Sequence, residues 1–222
     1  MFINTLDKDI FSLHEDVFFK VPQGTICLYT AEDRPNQWGH VCRVYRQALR
    51  IVRRDLTQEE ILAILFHDAA KGREGYPEDH GVGGAMLFIE VIPYLPICMS
   101  ADSVAAVASA IERHTKKEHS GSDLGELLRA ADMPEPNPMW YARKCFYRME
   151  KKLGLEGALE NALERTLEGK MLAGAPSLYL STFGAEIESS FSVFEETIKS
   201  PQDLERALRA WEARHPNSPK NG

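Results

Sequence analysis

Between residues 57 and 72 the chain encodes a helix that only a surrounding bundle can accommodate. Thr57-Gln58-Glu59-Glu60 is a capping box, in which the Thr57 hydroxyl and the Glu60 carboxylate satisfy free N–H groups at a helix start. The six residues that follow, Ile61-Leu62-Ala63-Ile64-Leu65-Phe66, are apolar almost all round the helix. Such a helix has no face to offer water, so it belongs at the centre of the fold. His67-Asp68 follows at once, expected in the last turns of this helix, which should stop near Gly72.

The flanking sequence supplies elements to pack against it. From Asn36 onward, Val41, Val44, Tyr45, Ala48, Ile51 and Val52 recur at three- and four-residue spacing and give one apolar face. Arg43, Arg46, Arg50, Arg53 and Arg54 lie mostly off that face and read as solvated surface. After a Gly- and Pro-containing loop over 72–77, a third helix is expected from about Asp79. A fourth, opened by Ser100 or Ser103, should end near His114, and a fifth should run from Ser122 to Ala131-Asp132. Pro134, Pro136 and Pro138 stop it there. Segments 139–152, 155–172 and 178–199 read as further helices, and Ser200-Pro201 opens a last one to about Arg214. Upstream, 17–20 and 25–29 are rich in β-branched and aromatic residues and fit short strands or an extended arm. The expected fold class is all-α: an N-terminal arm over 1–35, a helical core over 36–135, C-terminal helices over 136–214 packing on it, and a disordered polar tail over 215–222.

Composition narrows the function. The 222 residues suffice for a full domain with its own core, and the apolar and charged fractions, 44% and 27%, are those of an ordinary globular protein. No apolar run approaches the roughly 20 residues that span a bilayer, and Asp7, Asp9, Glu15 and Asp16 do not make a signal peptide. Cys27, Cys42, Cys98 and Cys145 are scattered, with no CxxC pair, which fits reduced thiols and a cytoplasmic location. A net charge of −7 argues against a polymeric nucleic-acid partner and for a small substrate.

The chemistry lies in His40, His67, Asp68, His80, His114 and Asp132, each at or near a predicted helix end. Singly, each reads as a cap or a partly buried polar residue. Together they suit a divalent metal, because helix ends of a bundle can converge on one point and imidazole nitrogen and carboxylate oxygen accept such ions.

In order, His40, His67-Asp68 with Lys71-Gly72, His80 before Gly83-Gly84-Ala85, His114, and Ala131-Asp132 resemble the HD-domain superfamily of metal-dependent phosphohydrolases. The fragment His67-Asp68-Ala69-Ala70-Lys71 is similar to the family's HDxxK motif, and the match covers about residues 38–132. The resemblance implies an all-helical core with metal between helices. His40, His67, Asp68 and Asp132 would hold a first divalent ion, and His80 and His114 with a bridging Asp68 a second, the ions being Fe, Mn, Zn, Ni, Co or Mg. A carboxylate suits a bridge because each oxygen can serve one ion. Two ions can activate a water and clamp both oxygens of an in-line displacement at phosphorus. That fits the lack of a Ser or Cys nucleophile motif.

The implied activity is hydrolysis of a small phosphate ester, a nucleotide or a related monoester or diester, with Asp68 and Lys71 catalytic and Lys71 contacting phosphate. Arg73, Lys116 and Lys117 would add positive potential. Arg143, on a helix face with Trp140, Lys144 and Tyr147, would line the substrate pocket. His14, His119 and His215 match no family position and read as surface. Gly75-Tyr76-Pro77 spells the tripeptide of the HD-GYP phosphodiesterases but precedes His80, the wrong order, and reads as a turn. Two alternatives remain: a di-iron oxygenase of the same superfamily cleaving a C–C or C–P bond, and a non-catalytic ligand-sensing domain. The oligomeric state is left open.

Overall fold

The computed structural model describes residues 17–21, 24–29, 35–95, 97–116 and 121–214. The chain divides into two compact units, Met1–Asp132 and Met133–Gly222, close to the expected boundary at 135. Among the described residues there are eight α-helices and one two-stranded hairpin, so the all-α expectation holds for all but the N-terminal segment. No helix among them is long and apolar enough to cross a membrane.

In the first unit, β1 (Val17–Val21) pairs antiparallel with β2 (Gly24–Tyr29), which resolves the expectation of strands or an arm in favour of strands. The register runs from Val17↔Tyr29 to Phe18↔Cys27, skipping Leu28. A bulge re-aims the residue it frees, and Leu28 is fully buried in the core. Five helices follow: α1 (Pro35–Val52), α2 (Gln58–Phe66), α3 (His80–Val91), α4 (Ala101–Arg113) and α5 (Asp123–Asp132).

Helix α2 is central, as its all-round apolar sequence requires. It touches α1, α3, α4 and α5, and every residue from Glu60 to Phe66 is buried. Nine residues would not hold a helix in water, where segments below ~12–15 residues are marginal. Burial of Ile61, Leu62, Ile64, Leu65 and Phe66, at about 1.5–3 kcal/mol each, supplies what propensity does not. The capping box is present in full: Glu60 N–H donates to Thr57 Oγ1 at 3.3 Å, and Thr57 N–H to Glu60 Oε2 at 2.7 Å. Arg54 grips the same carboxylate with two N–H groups, at 2.6 and 2.8 Å. The expected turn at Gly75 is there too, with Gly75 at φ 85° and the Tyr76 hydroxyl donating to Glu90 at 2.7 Å.

The second unit comprises α6 (Pro138–Leu167), α7 (Ser177–Thr197) and α8 (Pro201–Arg214). Helix α6 is broken at Gly154, whose φ of 73° and ψ of 179° only glycine adopts readily. The two helices expected over 139–152 and 155–172 are therefore its halves. The second half ends earlier than expected, because Gly169 turns left-handed and a short 3₁₀ turn, Lys170–Leu172, follows. Ala142, Cys145, Phe146, Leu159 and Leu163 form the core with Phe194 and Leu204. Leu153 is exposed beside the break.

Candidate metal centre

Two of the histidines are held by the same local device. Helix α2 ends at Phe66, about six residues short of the expected stop near Gly72, so His67 is its C-cap and Asp68 lies beyond it. From there the backbone continues as tight turns, with the N–H groups of Ala69, Lys71 and Arg73 bonded three residues back, until Gly72 turns left-handed. His114 is likewise the C-cap of α4. His67 Nδ1 lies 2.8 Å from the Ile64 carbonyl oxygen, and His114 Nδ1 lies 2.6 Å from that of Ile111. A carbonyl only accepts, so Nδ1 carries the hydrogen in both rings and Nε2 is turned inward. Carbonyls of the last helical turn thus fix ring orientation, as outer partners of metal-ligating histidines do.

The other residues arrive from three further helices. His80 is the first residue of α3, whose N-cap, Asp79, accepts from the N–H groups of Gly81 and Val82. His40 lies in the second turn of α1, and Asp132 is the last residue of α5. Gln47 of α1 donates to the Ala131 carbonyl at 2.7 Å, tying these two helices beside the site.

All six expected ligands converge. His40 Nε2 lies 3.0 Å from His67 Nε2, 3.1 Å from Asp132 Oδ1 and 3.6 Å from Asp68 Oδ2. His67 Nε2 lies 3.8 Å from Asp132 Oδ1. On the other side, Asp68 Oδ1 lies 3.3 Å from His80 Nε2 and 3.8 Å from His114 Nε2. Ligand atoms ~2.0–2.2 Å from a common ion stand about 3–4 Å from one another, and these separations fall in that range. Three overlapping triads could hold an ion: His40, His67 and Asp68; His67, His114 and Asp132; and Asp68, His80 and His114. Among the described residues, His114 Nε2 is buried and has no hydrogen-bond partner. A buried nitrogen left so is costly, and a cation is the partner its position fits. The donor set therefore suits a divalent metal.

Burial and charge act together here. His67 is fully buried, and burial drives its pKa down to about 4 against the pull of the Asp68 and Asp132 carboxylates, so it is neutral at pH 7. Burial also lowers His80. His114 is raised: burial opposes its charge, but the two carboxylates outweigh that, so a metal there competes with a proton. Burial would likewise raise Asp68, but the imidazoles of His114, His67 and His40 and the Lys71 ammonium hold it well below the ordinary range. Asp132 is depressed in the same way, chiefly by His40.

The expected phosphate contacts fare unevenly. Lys71 is half exposed and its Nζ lies 3.0 Å from Asp68 Oδ2, so it is at the site. Arg73 follows in the same turn, partly buried. Lys116 is engaged by Asp79. Lys117 and the surface histidines His14, His119 and His215 lie outside the described residues. Arg143 departs from expectation: it is buried in the second unit, its guanidinium 4.4 Å from the Trp211 ring centre and 5.1 Å from that of Tyr147. Stacking on those rings makes it a packing residue of that unit.

Two features of the site were not read from sequence. Arg43, taken for solvated surface, is buried, with one terminal nitrogen 2.6 Å from His40 Nδ1 and 3.9 Å from Asp132 Oδ1. Its spacing of three from His40 on a helix was the available signal. The glycines of α3 were the other. A Cβ on Gly81 would stand 2.6 Å from the Glu112 carbonyl oxygen, and one on Gly84 would stand 2.6 Å from that of Phe66. These two positions, three apart on one face, let α3 lie against the ends of α2 and α4 and deliver His80.

Compared with known proteins, the chain matches no protein-family model, no curated protein and no solved structure.

Proposed function

We propose that this protein is a metal-dependent phosphohydrolase acting on a small phosphate ester, a nucleotide or a related monoester or diester. The division of the Asp68 carboxylate carries the proposal: Oδ2 faces His40, while Oδ1 faces His80 and His114. His40, His67, Asp68 and Asp132 would hold one divalent ion, and Asp68, His80 and His114 a second. When bound, such a pair supplies a water acidic enough to attack phosphorus and positive charge for the leaving oxygen.

The chain's own residues do the rest. The Ile64 and Ile111 carbonyls keep the His67 and His114 rings from turning. Burial keeps His67 neutral, the form that ligates. Lys71 pairs with Asp68 Oδ2, and its half-exposed ammonium turns to the substrate phosphate once that oxygen is otherwise engaged. The ordered likeness to the HD-domain superfamily supports the same chemistry. A cytoplasmic location accords with it, since among the described residues Cys98 and Cys145 are free thiols.

Phosphate or nucleoside release from a phosphoester panel, with Mn2+ and the other divalent ions in turn, tests the proposal. Activity is expected with wild type and not with His67→Ala or Asp68→Ala. Metal-loaded protein inert across the panel contradicts it, and substrate-dependent oxygen consumption by the iron-loaded form would replace it with the oxidative alternative.

A further inference from the structure

The outer nitrogens of the inward-facing histidines are not all held alike. His67 and His114 rest Nδ1 on carbonyl oxygens, which accept a hydrogen and leave Nε2 free to ligate. His40 rests Nδ1 on Arg43, at 2.6 Å. A guanidinium has only donors and stays charged at any ordinary pH. His40 Nδ1 must therefore accept, which puts the ring hydrogen on Nε2.

That assignment is consistent with everything around it. Two acceptors face His40 Nε2: Asp132 Oδ1 at 3.1 Å and His67 Nε2 at 3.0 Å, the latter an acceptor because its own hydrogen is on Nδ1. Arg43 donates to His40, and His40 donates into the cluster. The hydrogen on His40 Nε2 thus lies where an ion held by His40, His67 and Asp132 would need a lone pair.

We propose that Arg43 is a gate on this ion position. This rests on the metal-centre reading above. While Arg43 occupies Nδ1, His40 cannot ligate through Nε2. Release of Nδ1 lets the ring hydrogen move from Nε2 to Nδ1, with no net gain or loss of protons, and bares the Nε2 lone pair. Asp132 Oδ1, 3.9 Å from the same guanidinium nitrogen, is the acceptor to which Arg43 can turn. Among the described residues no guanidinium or ammonium occupies the outer nitrogen of His80 or His114, and that of His114 rests on a carbonyl. The two positions therefore fill in sequence, the His80 side first and the His40 side second and more weakly.

Two measurements test the gate. Nitrogen NMR of the histidine rings in metal-free wild type is expected to find the His40 hydrogen on Nε2 and those of His67 and His114 on Nδ1. Mn2+ binding, followed by competition with a chelator, is expected in two steps. Arg43→Met, which removes donor and charge at similar length, should tighten the weaker step by about tenfold or more, the worth of a lost charge-assisted hydrogen bond. Arg43→Lys, which keeps charge and a donor, should stay near wild type. A merely structural Arg43 would move the other way, so a weaker step unchanged or loosened in Arg43→Met overturns the proposal. So does a His40 hydrogen found on Nδ1 in the metal-free protein, a result that needs no variant to fold. Wild type that takes up no Mn2+ at all overturns the metal-centre reading itself, and the NMR result then shows separately whether Arg43 holds His40 as described.

Discussion

Gly84→Ala tests how the centre is assembled. A methyl group at this position would stand 2.6 Å from the Phe66 carbonyl oxygen, 2.9 Å from that of His67 and 3.0 Å from Ile111 Cγ2. The shortest contact is about 1 Å inside the ~3.5 Å at which non-bonded heavy atoms attract. The Phe66 carbonyl cannot simply swing aside, because it accepts from Ala69 N–H in the turn that carries Asp68. Helix α3 must retreat or the turn must deform. Overpacking of this kind costs about 1–3 kcal/mol, and the better helix propensity of alanine returns about 1 kcal/mol. The net expectation is a loss of up to about 2 kcal/mol, read as a lower urea midpoint at unchanged slope. Retreat also pulls His80 Nε2 from its place 3.3 Å from Asp68 Oδ1, so Mn2+ uptake at the His80 side should weaken by tenfold or more. Gly39→Ala is the control: on α1, exposed, with nothing among the described residues within 4 Å of an added Cβ, it should stabilise by about 0.5–1 kcal/mol. A Gly84→Ala protein as stable as wild type, with both steps of Mn2+ binding unchanged, would refute this account of the helix approach.

Other expectations follow from individual contacts. Lys71→Met should retain its metal content but lose about 10–100-fold in kcat/KM on an active phosphoester, the worth of a charge-assisted contact of ~1.5–3 kcal/mol; equal loss of bound metal would make Lys71 a support for Asp68 instead. Burial of Glu60 favours its neutral form, but Arg54 and Thr57 outweigh burial and hold its carboxyl below the ordinary value of 4.5. The unfolded chain therefore takes up this proton first as pH falls. Its contribution to stability is complete above about pH 4.5 and is lost as pH drops through the lower folded value, so Glu60→Gln should flatten that acid limb of the stability profile. Thr57→Ala removes the other half of the capping box and should cost about 1 kcal/mol in urea unfolding.

What could be read from sequence was what local chemistry dictates. The capping box at Thr57, the centrality of the helix after it, and an interruption between 152 and 155 each depend on a few neighbouring residues, and each stands in the structure. The six candidate ligands were legible because donor chemistry restricts them to histidine and aspartate and their order along the chain is distinctive. Arg43 was missed: its spacing of three from His40 was the one signal, and an arginine off the apolar stripe of α1 looks solvated until α5 brings Asp132 beside it. Arg143 misled for the opposite reason, since a charged residue on an amphipathic helix looks available until Trp211, far along the chain, covers it. The close approach of α3 depends on what a Cβ would meet on other helices, which spacing within α3 does not reveal.

The central claim is that Asp68 joins two ion positions. Metal content of wild type and Asp68→Ala, measured by elemental analysis after purification without added metal and again after Mn2+ loading, tests it most directly. Two ions per chain are expected in loaded wild type, with both positions weakened in Asp68→Ala. A wild-type protein that holds no ion, or an Asp68→Ala protein that binds two as tightly, would contradict it.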